Sequence, residues 1–112
     1  MQPTDVYSVQ VGSNNLAFES QAVNGRSRLK GIYVCGGVDT TGTSGGKVQL
    51  RDGTTNTDTA RFEFQCPRGS TVTGGFFIKI PGNGILFESG IFVDAEAAVN
   101  PVTLVFQGGA AA

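Results

Sequence analysis

At 112 residues the chain is short enough for one domain, and 39% hydrophobic content is enough to give that domain a core. Its 17 glycines and 4 prolines, set against only 15% charged residues, favour turns over helices and predict an all-β fold. A net charge of −1 offers no field to attract nucleic acid or an anionic membrane, and the absence of His and Trp removes the commonest general base, the commonest metal ligand and the best stacking platform.

The first segment alternates, with Tyr7, Val9 and Val11 on one face and Ser8 and Gln10 on the other, and breaks at residues 12–15. A second run from Leu16 to Glu19 resumes the alternation, and the two together predict an N-terminal β-hairpin or arm within residues 1–20. Residues 20–27 are polar and carry an Asn24-Gly25 turn dipeptide, after which 28–36 reads as a central strand, apolar on both faces toward its end. Residues 39–46, rich in Gly, Thr and Ser, are expected to form an exposed tip.

Further along, Val48 and Leu50 mark a strand over 47–51, closed by Asp52-Gly53 and the polar run 54–59. In 60–66, Phe62, Phe64 and Cys66 alternate with Arg61, Glu63 and Gln65, as in a strand with one buried and one wet face. A loop is expected at 67–75. Phe76, Ile78 and Ile80 then share a face, and Pro81-Gly82-Asn83-Gly84 predicts a hairpin turning them back into Ile85-Leu86-Phe87. The return strand is expected to bend at Ser89-Gly90 and continue into Ile91-Phe92-Val93. An Ala-rich corner at 94–100 has room for one helical turn. Val102, Leu104 and Phe106 mark the last strand, and the small-residue tail 108–112 carries no fold signal.

The sum is a single domain over 1–112, an antiparallel β-sandwich or flattened barrel of about seven to eight strands, with Greek-key and jelly-roll topologies both open. Met1 to Asp5 lacks the charged and apolar regions of a signal peptide, which leads to the expectation of a soluble chain made in the cytoplasm. Cys35 and Cys66 belong to no CxxC or Cys/His cluster. They read as buried thiols, with a disulfide between adjacent strands as the alternative outside a reducing compartment.

Little in the sequence points to catalysis. Without His, a nucleophile would depend on a carboxylate or on Lys30, Lys47 or Lys79 as base, and none stands in a motif. Gly45-Gly46-Lys47 imitates the end of a phosphate-binding loop, but Val48 stands where Ser or Thr is needed and Thr41 where the first Gly is needed. Asp52, Asn56 and Asp58 place oxygen side chains at spaced positions, and Glu63 follows at the spacing of a calcium loop. Thr57 replaces the turn glycine and no helices flank the segment, so an inter-strand loop is the expectation and cation binding the remote alternative. No cofactor is expected. Arg28 and Lys30 share a strand face, fit to meet carboxylates on a neighbouring subunit or to discourage unwanted strand pairing.

The segments Leu29-Lys30-Gly31-Ile32-Tyr33-Val34, Val48-Gln49-Leu50-Arg51-Asp52-Gly53, the run from Ile80 to Val93, and Val102-Thr103-Leu104-Val105-Phe106 occur in one order. In this order they resemble a family of small β-rich virion structural proteins of marine bacteriophages. The resemblance spans Leu29 to Phe106. It implies a non-catalytic capsid decoration, or cement, protein that binds the major capsid protein lattice as a homo-oligomer and is located in the virion. The alternative it leaves is a tail, vertex or fibre-associated protein engaging the host surface. On this reading Tyr7, Val9, Val11, Arg28 and Lys30 are the interface candidates, the first three because an N-terminal segment can add a strand to a neighbour's sheet edge and the two cations because their shared face can meet a neighbour's carboxylates.

Overall fold

The computed structural model of the chain describes residues 6–12, 17–35, 46–66, 75–96, 99 and 101–112. The tip expected at 39–46 and the loop expected at 67–75 lie outside these residues except for Gly46 and Gly75, as does most of the corner near 97–100. The described residues form eight strands and no helix: β1 (Val6–Val11), β2 (Phe18–Cys35), β3 (Lys47–Asp52), β4 (Ala60–Gln65), β5 (Gly75–Lys79), β6 (Ile85–Phe87), β7 (Gly90–Ala95) and β8 (Val102–Ala111). All pair antiparallel in one sheet ordered β1-β8-β2-β7-β3-β4, with β5 and β6 also paired to β2. The sheet is not closed into a barrel. It folds over its own core, bringing the Phe64 ring of β4 edge-on to Phe76 of β5 at 6.2 Å although those strands are not hydrogen-bonded neighbours.

The 18-residue β2 organises the sheet. One edge carries β8, from Tyr33↔Thr103 to Val23↔Ala111. The other carries three strands end to end: β5 from Cys35↔Gly75 to Gly31↔Lys79, β6 from Leu29↔Ile85 to Ser27↔Phe87, and β7 from Asn24↔Gly90 to Phe18↔Ala95. A strand this long stays useful because bulges switch its faces. Ala22 and Val23 are adjacent yet both fully buried, at the register shift against β7. Leu29 and Ile32 are both fully buried three residues apart, at the shift where Lys30 is left without a partner on β8. Each bulge adds one residue and reverses the alternation beyond it.

Three expectations are corrected by this register. Val6–Val11 forms no hairpin with the following run: β1 pairs with β8, and Phe18 and Glu19 pair with Ala95 and Asp94 of β7. Asn24-Gly25 does not end a strand but sits in the β2 bulge opposite β8. Pro81 to Gly84 is likewise no hairpin turn, since β5 and β6 run in the same direction along β2. Residues 80–84 instead loop out opposite Lys30, closed by Ile80 N–H donating to Lys30 O at 3.0 Å and Gly84 N–H to Pro81 O at 3.3 Å. Gly82 and Gly84 have φ of 67° and 81°, and a side chain on Gly84 would collide with the Leu29 carbonyl oxygen.

The bend at 88–89 keeps one register from β6 into β7, as expected. The small-residue tail carries structure: Gly108 to Ala111 belongs to β8, and Ala112 N–H donates to Ala22 O at 3.0 Å. Between the folded layers lie Leu29, Ile32, Val34, Val48, Leu50, Phe87, Ile91, Val93, Leu104 and Phe106, each at most 1% exposed. Phe62 and Phe64 face this core from β4 but remain half-buried.

Candidate functional site: the Asp52–Glu63 segment and the predicted interface residues

Asp52 ends β3 on the same face as Val48 and Leu50, which turns its carboxylate toward the protein, and its side chain is only 6% exposed. Both oxygens are engaged there. Oδ1 accepts the Ser89 N–H at 2.8 Å; Oδ2 accepts the Glu88 N–H at 3.0 Å and Arg61 Nε at 3.2 Å. Burial alone would raise the Asp52 pKa, but the two backbone donors and the Arg61 guanidinium outweigh it and hold the carboxyl below its ordinary range. Asp52 therefore clamps the β6–β7 bend, whose backbone donors find no partner in the ladder.

Asp58 works the same way within its own loop. Its Oδ2 accepts the N–H groups of Thr55 at 3.0 Å and Thr54 at 2.9 Å and the Thr55 hydroxyl at 3.1 Å, and these donors lower its pKa. Asn56 extends its amide away from the loop to the Glu19 carboxylate, at 3.1 and 3.2 Å. Glu63 lies across from Gln49 and accepts that amide at 2.9 Å, on the face opposite Asp52. The four residues spaced like a calcium loop are thus not brought together. N–H groups occupy the two aspartates where a cation would have to bind, and the described residues contain no group of three or more His, Cys, Asp or Glu placed to hold a metal.

What the outer face of β3 and β7 carries instead is a side-chain network. Arg51 donates to Asp94 at 3.2 Å, to the Gln49 side chain at 2.7 Å and to the Asp58 carbonyl at 2.9 Å, linking loop, strand and neighbouring strand. The Arg51–Asp94 pair is less than a quarter exposed, which makes it a stronger tie than the open Arg26–Glu88 pair at 3.6 Å.

The interface candidates separate into two groups. Val9 and Val11 are half-buried and pack against the chain's own core, while Tyr7, 51% exposed, touches Phe106 ring-to-ring at 5.9 Å. Arg28 and Lys30 lie together on β2, half-buried. Lys30 Nζ donates to Gly82 O at 2.9 Å and so holds the 80–84 loop, whereas Arg28 has no hydrogen bond or ion pair among the described residues. Sequence reasoning missed the Glu88 and Ser89 backbone donors, and it missed Asn83 and Gln107 as neighbours of Arg28. Both follow from strand register, which no local pattern shows. No protein-family model matches the chain, and no curated protein matches it.

Proposed function

We propose that the chain is a non-catalytic structural protein of a bacteriophage virion, a capsid decoration protein that binds the major capsid protein lattice and associates with copies of itself. The reading begins from the sequence resemblance over Leu29 to Phe106. The structural observation that supports it is a pair of open sheet edges. Among the described residues β1 pairs only with β8 and β4 only with β3, so a row of backbone donors and acceptors is presented at each end of the sheet. Such edges are available for strand addition. Val6, Tyr7, Tyr33 and Phe77 add large apolar surface, each about half exposed, at 46 to 53%.

Quantitative mass spectrometry of purified virions tests this reading. The expected result is a copy number comparable with that of the major capsid protein. A few copies per particle, located at the tail or a vertex, would replace the decoration role with the host-engaging alternative, and absence from the particle would reject both.

A further inference from the structure

A groove of about 420 Å³ opens beside the middle of β2, where Arg28 stands between Leu86 of β6 and Gln107 of β8. Arg26 and Asn83 complete its rim, Asn83 being carried by the 80–84 loop that Lys30 fastens through Gly82. Among the described residues no carboxylate lines this space. Glu88 meets Arg26 at 3.6 Å with both side chains at least 60% exposed, an arrangement that solvent screens.

The informative residue is Arg28. Arg28 as a residue is half-buried, its guanidinium nitrogens are open to the groove, and among the described residues none of its donors has an acceptor. A guanidinium that faces a groove with no intramolecular acceptor keeps its planar set of N–H donors open to a ligand. Ser27, which also lines the groove, is 2% exposed, and its hydroxyl has no partner among the described residues. Two arginines, two side-chain amides and, among the described residues, no acid constitute a receptor for negative charge, inside a chain whose net charge is −1. Among the described residues the acids other than Glu88 lie elsewhere: Glu19, Asp52, Asp58, Glu63, Asp94 and Glu96 belong to β2's first residues, β3, β4, β7 and the adjoining loops.

We propose that this groove is a binding site for an oxyanion, a carboxylate or phosphoryl group, held by the planar fork of Arg28, with Arg26 adding charge and the Asn83 and Gln107 amides adding directional hydrogen bonds. Arginine suits the role because its parallel N–H pairs match the two oxygens of such a group. The apolar wall at Leu86 strengthens the pairing by excluding water from one side. The assignment does not require the virion reading, although Arg28 is also an interface candidate there and Gln107 pairs with Val6 of β1.

The test is titration of the isotopically labelled full chain with inorganic phosphate and, separately, with acetate, against sodium chloride at equal ionic strength, followed by NMR at the Arg28 guanidinium and the Asn83 and Gln107 amides. Saturable shifts with phosphate or acetate are expected, and whichever anion binds more tightly identifies the phosphoryl or the carboxylate source. Arg28→Gln should weaken binding about tenfold or more, Arg28→Lys should restore part of it, and Lys47→Gln on β3 should leave it unchanged. Arg28→Gln should also melt no lower than the native chain, since it removes an unpartnered charge. Shifts that merely follow ionic strength, that persist in Arg28→Gln, or that fall equally in Lys47→Gln would overturn the proposal.

Discussion

Replacing Gly84 and Gly82 by alanine, one at a time, tests whether residues 80–84 loop out of a continuous antiparallel partner of β2. Both glycines have positive φ, so alanine at either position carries the left-handed backbone cost of about 1 to 2 kcal/mol, partly offset by lower entropy of the unfolded chain. At Gly82 nothing lies within 4 Å of an added Cβ, and the net cost should be about 1 kcal/mol. At Gly84 the added carbon meets the Leu29 carbonyl oxygen and carbon, backbone atoms that cannot yield without moving β2. Overpacking of that kind adds about 1 to 3 kcal/mol, which puts Gly84→Ala near 3 kcal/mol. For a domain of this size 1 kcal/mol corresponds to roughly 4 to 6 °C in melting temperature. Calorimetry should therefore show Gly82→Ala about 5 °C below the native chain and Gly84→Ala about 15 °C below. Equal losses would mean that Gly84 does not press against β2, and the in-line arrangement of β5 and β6 would be wrong.

The core makes a second comparison. Phe106 is 1% exposed and Phe64 only half-buried, so Phe106→Ala should cost about 3 to 5 kcal/mol and Phe64→Ala about half as much in denaturant unfolding; the reverse order would place the core elsewhere. Asp52→Asn should cost about 2 kcal/mol at neutral pH by replacing a carboxylate that accepts from Ser89, Glu88 and Arg61. Because the folded pKa values of Asp52 and Asp58 lie below the unfolded value near 3.8, their contribution is complete above that pH and is lost as pH falls through the folded values. Stability should accordingly drop on acidification below about pH 4, and the gap between the native chain and Asp52→Asn should narrow there; a gap that held constant to pH 2 would refute the clamp.

Strand existence was largely legible in the sequence. Alternation placed Val48 and Leu50, Phe62 and Phe64, Phe76 and Ile78, and Val102, Leu104 and Phe106 on inward faces, and each does face the core. Partnership was not legible, because alternation reports which way a side chain points and says nothing of which strand lies alongside. Pro81 to Gly84 has a turn sequence whether the chain reverses or makes an excursion and resumes its course. Asn24-Gly25 suits a bulge as well as a hairpin. Gly108 to Ala111 gave no signal because residues without bulk have no pattern to show, yet their small size is what lets β8 pass close to β2: a side chain on Gly109 would strike the Asn24 carbonyl. At the Asp52–Glu63 segment the spacing of oxygens was visible, but not the fact that backbone donors from the β6–β7 bend and from the loop itself already claim both aspartates.

The strand order also governs how the protein must come into being. Among the described residues, β3 and β4 are the only consecutive strands bonded to each other; every other ladder joins segments distant in sequence, as where the Gln10 and Thr103 side chains of β1 and β8 meet at 3.5 Å across 93 positions. On the ribosome, β1 emerges with no mate until β8 is made, β2 meets its first mate only when β5 is made, and the sheet is complete only after β8. Folding should thus be a late, global event on the millisecond-to-second scale of non-local β-proteins rather than a growth from one end. A nascent chain stalled before Val102 would carry its longest strand with one edge bare.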